Sequence, residues 1–156
     1  MKRRLIREIA VQSLYQMEMN EVNAEEAITM LLAEAAGDNE SAVGSIKDPE
    51  AAQSLILELV AGVSANKTAI DGMLEQYLKG WQISRLSRVD RQILRLAAYE
   101  MVFRDDVPAK VAVNEAIELS KHFGTEESGK FVNGVLGKMI QDIDQSQQQS
   151  NHMHKE

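Results

Sequence analysis

Apolar residues recur at intervals of three and four along most of the chain, and no stretch keeps the strict alternation of a half-buried strand. The first such stretch predicts a helix from about Arg3 to Met19, with Ile6, Ile9, Ala10, Ser13 and Met17 on one face. Asn23 with Glu26 three residues on has the spacing of a capping box. It opens a second helix whose stripe is Ala24, Ala27, Ile28, Leu31 and Ala35. From Gly37 to Lys47 the chain is polar and aperiodic, which predicts a mobile loop. Asp48-Pro49 restarts helix, because Asp48 can cap and proline is tolerated at the first helical position. Ile56, Leu59, Val60 and Val63 form its apolar face, and a break falls near Gly62 and Asn66. Ile70, Met73, Leu74 and Tyr77 continue as a fourth helix.

Gly80 and Trp81 mark the next connection. Ser87 is placed to cap a fifth helix, with Asp90 in the first turn where the helix dipole favours an anion. Val89, Ile93, Leu96, Ala97 and Met101 keep the period to about Phe103. A turn over 104–108 precedes a sixth helix with Val113, Ala116, Ile117, Ser120 and Phe123, which Gly124 ends in the usual post-helix role. Thr125 caps the last helix, whose stripe is Val132, Val135, Leu136, Met139, Ile140 and Ile143. Beyond Asp144 the chain is rich in Gln, Ser and Asn without an apolar pattern, which predicts a disordered tail over 144–156. The fold class is all-α, with about seven helices.

Composition narrows what such a bundle can do. Its 156 residues suit one domain, or two small subdomains sharing a core. Aromatics are only 4%, so the core rests on aliphatic side chains and Met. There is no cysteine, which excludes disulfides, thiol nucleophiles and cysteine-ligated metals, and fits a reducing cytoplasm. No apolar run approaches the ~20 residues of a membrane span, and Arg7 and Glu8 interrupt the N-terminal apolar stretch too early for an export signal. The net charge of -7 argues against nucleic-acid binding. Its distribution argues for it, since Lys2, Arg3, Arg4 and Arg7 precede any acid.

Several residues carry candidate chemistry, each with a plainer alternative. Arg3, Arg4 and Arg7 share one arc beside the apolar face, as a phosphate-binding patch would. The alternative is a solvated helix end, although cations there oppose the helix dipole. Arg88, Arg91 and Arg95 lie opposite their helix's apolar stripe, which favours a solvated face over a second phosphate strip. Phe131 sits about 100° from the centre of its stripe, with Lys130 and Asn133 nearby in sequence. It either stacks on an unpaired base or packs under a neighbouring helix. Tyr15 is a partner anchor or a half-buried flank residue. Asp90 and Glu100 either meet a basic partner or serve as a cap and a surface carboxylate.

Catalysis finds little support. His122 stands alone near a helix C-terminus, and His152 and His154 fall in the tail, where they offer at most weak metal binding. Neither a P-loop, nor a dinucleotide fingerprint, nor a nucleophile elbow is present, so no cofactor, metal or catalytic residue is expected.

Three blocks together resemble a known family. They are Arg3-Arg4-Leu5-Ile6-Arg7-Glu8 with Ala10, Gln12 and Leu14-Tyr15-Gln16; then Val89-Asp90-Arg91-Gln92-Ile93-Leu94-Arg95 with Ala97 and Tyr99-Glu100. The third is the most specific and runs from Val107-Pro108 through Val113-Asn114-Glu115-Ala116-Ile117-Glu118-Leu119 to Phe123-Gly124 and Lys130-Phe131-Val132-Asn133-Gly134-Val135-Leu136. In this order and spacing the chain resembles the NusB family of bacterial transcription antitermination factors, from about Arg3 to Ile143.

The resemblance implies a single domain over 1–143 with helical subdomains at about 1–80 and 81–143. It implies binding to the boxA element of ribosomal RNA operon transcripts, together with the ribosomal protein NusE, within an RNA polymerase complex that resists termination. Self-association is a further state it allows. Lys2, Arg3, Arg4, Arg7, Lys110, Glu127, Lys130, Phe131 and Asn133 carry over to the RNA side, and Tyr15, Tyr77, Asp90 and Glu100 to the NusE side. The implied mode of attachment is one continuous surface of N-terminal cations and the Phe131 ring. Two other functions compete with it. One is a non-catalytic subunit of an rRNA-modifying assembly, since some rRNA methyltransferases carry a NusB-like domain. The other is a protein-binding adaptor indifferent to RNA.

Overall fold

Helix formation here follows from periodic aliphatic residues and well-placed caps. The computed structural model describes residues 2–38, 49–80 and 82–154, with side chains described over 4–34, 50–80 and 82–145. Its described residues contain seven α-helices: α1 Lys2–Asn20, α2 Ala24–Asp38, α3 Pro49–Ala65, α4 Lys67–Glu75, α5 Arg88–Phe103, α6 Ala109–Phe123 and α7 Glu126–His154. A 3-10 turn, Ile83–Arg85, precedes α5. The expected loop from Gly37 to Lys47 starts later, since α2 runs to Asp38; residues 39–48, with the proposed Asp48 cap, lie outside the described residues, as does Trp81.

Capping explains several boundaries. Asn23 Oδ1 accepts from the Glu26 backbone N–H at 2.8 Å, and Asn23 Nδ2 donates to Glu26 Oε1 at 3.1 Å. This holds the first turn of α2 as the Asn-x-x-Glu spacing predicts. Asn66 separates α3 from α4, its backbone and side-chain N–H groups both donating to Gly62 O. Ser87 Oγ accepts from the Asp90 N–H at 3.2 Å and starts α5. Tyr77 falls just past α4, in the turn after Glu75, and not within the helix as its spacing suggests.

The chain divides into two compact units, Met1–Lys67 and Thr68–Glu156, so α4 joins the second unit and the division precedes the expected boundary near residue 80. In the first, α1, α2 and α3 all pack on one another. Its core includes Ile9, Ala10, Val11, Leu14, Ala27, Ile28, Ile56 and Val60. The buried surface of α1 is wider than its predicted stripe, since Val11, which is not among the stripe residues, is 1% exposed. In the second unit α5, α6 and α7 pack on one another.

Helix α5 departs most from expectation. Every side chain from Arg91 to Met101 is buried, polar ones included. Arg91 and Arg95, expected on a solvated face, are therefore corrected to the interior, while Arg88 stays exposed. Arg95 forks onto Asp71 of α4 through Nε–Oδ1 at 2.8 Å and Nη2–Oδ2 at 2.9 Å. Arg91 Nη1 donates to the carbonyls of Ile83 and Ser84 at 3.3 and 3.2 Å. These acceptors make burial of the guanidiniums tolerable.

Two further features differ from the sequence-based expectation. Gly124 ends α6 with its N–H bonded to Ser120 O at 2.9 Å, but its φ of -127° is not left-handed. Glycine is required by close approach, because a Cβ there would lie 2.6 Å from Ser128 Oγ and 3.0 Å from Ser120 O. Helix α7 continues to His154, through the segment expected to be disordered from Asp144. Neither Gly nor Pro interrupts it after Gly137, and Gln propagates helix well.

Removing Asp71 leaves a buried guanidinium without its acceptor. Asp71→Ala is expected to cost about 3 kcal/mol, read as a lower urea midpoint, whereas Asp71→Leu with Arg95→Met restores most of the loss. Gly124→Ala is expected to destabilise by about 1–3 kcal/mol, read by thermal melting, and adding Ser128→Ala should relieve part of the crowding.

Candidate nucleic-acid interface

The stripe of α7 fixes where its other residues stand. Val132, Val135, Leu136 and Met139 are buried, so Lys130, Asn133 and Lys138 are turned to solvent, and Phe131 is half-buried at the stripe's edge. Phe131 does not sink into the core. Together with Lys130, Gly134, Val135 and Lys138 it lines a cavity of about 320 Å³, closed on its other side by Tyr77, Leu78 and Lys79. An aromatic ring beside aliphatic walls, with three ammonium groups at the rim, suits a flat apolar ligand that carries negative charge. An RNA base with its phosphates has that chemistry.

The wall opposite Phe131 is held from α7 itself. Tyr77 Oη donates to Asp142 Oδ2 at 2.8 Å, tying the turn after α4 to the helix. Burial raises the Tyr77 phenol above its usual 10.0, and the hydrogen bond to Asp142 and that carboxylate's charge push the same way. Next along the turn, Lys79 and Gly80 have φ of 51° and 89°. This left-handed pair suits glycine and is costly for lysine.

The other candidate residues are distributed as follows. Lys130 Nζ lies 3.5 Å from Glu127 Oε1, and both side chains are largely exposed, so the pair is weak. Lys110 is exposed near the start of α6 and does not line this cavity. In the first unit Arg4 is half-buried, and the side chains of Lys2 and Arg3 lie outside the described residues. Arg7 is a correction: it is only 7% exposed. It shares a ridge with Ala10, Val11 and Leu14, all buried, and its aliphatic stem goes in with them.

Among the candidates for a protein partner, Tyr15 is half-buried and accessible. Asp90 is likewise half-buried; burial raises its carboxyl above the ordinary value, and the hydrogen bond with Ser87 opposes that. Glu100 is a correction, since at 2% exposure it offers no carboxylate to a partner. Tyr77 turns out to line the Phe131 cavity.

Lys79 and Lys138 were not picked out by sequence reasoning. Lys138 was legible, because Lys130, Gly134 and Lys138 follow one another at i, i+4 spacing on α7. Lys79 was not, since only the turn geometry brings it to the cavity. Among the described residues no group of three or more metal-binding side chains gathers, and no helix is long and apolar enough to cross a membrane.

The described residues thus define an all-α protein with an aromatic, cation-rimmed cavity on its last helix. The NusB family model matches residues 4–141. The transcription antitermination protein NusB of Acetivibrio thermocellus is 48% identical over 140 residues, covering 90% of this chain and 89% of that protein. Among solved structures, T. maritima NusB superposes with a TM-score of 0.74 at 36% identity, covering 89% of this chain and 90% of that one. A structure of antitermination factors NusB and NusE in complex with dsRNA gives 0.74 at 26% identity, covering 90% and 97%. The chain belongs to the NusB family.

Tyr77 provides a direct readout of the cavity wall. Its raised pKa means the folded protein retains the phenolic proton longer than the unfolded chain. The stability linked to it is fully present below pH 10.0 and is lost as pH rises through the folded value. Subtracting the tyrosinate absorbance titration of Tyr77→Phe from that of the wild type isolates this group. Its midpoint is expected above 10.0, and Asp142→Asn should move it back toward that value.

Proposed function

We propose that this protein is a transcription antitermination factor that binds boxA RNA together with the ribosomal protein NusE and joins the RNA polymerase antitermination complex. It works in the cytoplasm, by recruitment, and catalyses no reaction. The observation that carries this function is the Phe131 ring, set half-buried in a lysine-rimmed cavity of a chain from the NusB family.

In this mechanism an unpaired base stacks on Phe131, and Lys130 and Lys138 meet the adjoining phosphates. Asn133 and Glu127 read the polar edges of neighbouring bases. Lys2, Arg3 and Arg4 at the start of α1, with Lys110 on α6, add phosphate contacts that release counterions on binding. Tyr15 and Asp90 face NusE. Once NusE is bound, its own RNA contacts act within one assembly, so the two proteins hold the strand more tightly than either does alone.

Titration of labelled boxA RNA tests this. NusE is expected to raise affinity for boxA over a scrambled strand. Phe131→Ala should weaken boxA binding by roughly 5- to 150-fold, the range of one lost base stack, without lowering the melting temperature appreciably. Equal affinity for boxA and scrambled RNA in the presence of NusE would refute the assignment.

A further inference from the structure

A second cavity, of about 380 Å³, adjoins the first through a shared residue. It is lined by Lys79, Gly80, Gln82 and Arg85, and Lys79 also lines the Phe131 cavity. We propose that this notch is a phosphate subsite, which takes the RNA backbone next to the base held by Phe131. The inference rests on the RNA-binding function proposed above and extends it to residues that neither family resemblance nor composition singles out.

The chemistry of the lining selects the ligand. Among the described residues, two cations and one amide line the space and no carboxylate does. An anionic oxygen is matched there. Among the described residues neither Lys79 nor Arg85 is ion-paired. This contrasts with Lys130, which has Glu127 at 3.5 Å, and with Arg104, which has Asp106 at 2.8 Å. Free cations beside an open space, in a protein of net charge -7, mark where a polyanion would be held.

The notch is also built in advance. Arg91 of α5 clamps the carbonyls of Ile83 and Ser84, which fixes the 3-10 turn that carries Arg85. The Arg85 N–H is bonded to Gln82 O at 2.9 Å. At the other end Lys79 stands in a left-handed conformation, φ 51°, which a lysine does not adopt without cost. Donors fixed before the ligand arrives lose little entropy on binding it. The shared Lys79 makes the two cavities one track, with stacking at one end and charge at the other.

The test uses the full chain and single-stranded boxA RNAs of two lengths: one spanning both cavities, and one cut back to the bases around the Phe131 position. Lys79→Asn suits the left-handed backbone and Arg85→Gln alters an exposed residue, so both variants are expected to melt like the wild type. For the long strand each should lower the slope of log K against log[salt] by about 0.7 and weaken binding roughly three- to fivefold. For the short strand Arg85→Gln should change nothing. If both variants keep the wild-type slope on the long strand while Phe131→Ala still weakens it, the notch is not on the RNA path and the wider function survives. If Phe131→Ala is also silent, both proposals fall.

Discussion

Burying a guanidinium requires that its donors find acceptors, and α5 buries two. Arg95 meets Asp71 of α4 with both arms of its fork, and Arg91 meets the carbonyls of the 3-10 turn. An unmet charge at either position would cost several kcal/mol. Only a narrow set of arrangements of α4, the turn and α5 is therefore compatible with folding of the second unit. Among the described residues one donor atom, Arg91 Nε, finds no acceptor. Geometry, and not merely apolar burial, specifies how these elements meet.

The candidate interface inherits that specification. The described residues between Tyr77 and Arg85 have little regular structure beyond the 3-10 turn, yet they are tied down at both ends. Tyr77 is bonded to Asp142 on α7, and Ile83 and Ser84 are bonded to Arg91 on α5. A connection of this kind would ordinarily be mobile. Here its described residues form one wall of the Phe131 cavity and line the notch beside it. Recognition surfaces work best when their groups are already in place, and buried polar contacts some distance from the ligand supply that order.

How much of this was legible in the sequence depended on whether the signal was local. Helix periods, the Asn23 and Ser87 caps and the edge position of Phe131 were all visible, because each involves residues within a turn or two of one another. Long-range pairings were not. The arginine strip of α5 looked solvated because its acceptors lie on other elements, and Asp71 precedes Arg95 by 24 residues. Arg7 and Glu100 were read as surface charges because a helix buried on more than its apolar stripe cannot be distinguished by periodicity from one with a wet back. Lys79 and Arg85 needed the turn itself. The family resemblance supplied the function that periodicity alone could not.

The grouping of contacts has a bearing on how the molecule is made. Helices α1 to α3 pack on one another, and their unit is complete at Lys67. The α5–α7 cluster likewise joins segments that follow closely in sequence. Such local wiring favours fast collapse. A ribosome delivers the chain amino end first, so α1, α2 and α3 have all emerged before α5 to α7 begin. The packing of α1 on α2 and α3, which places Arg4 and Arg7, can therefore form while the Phe131 helix is still being translated.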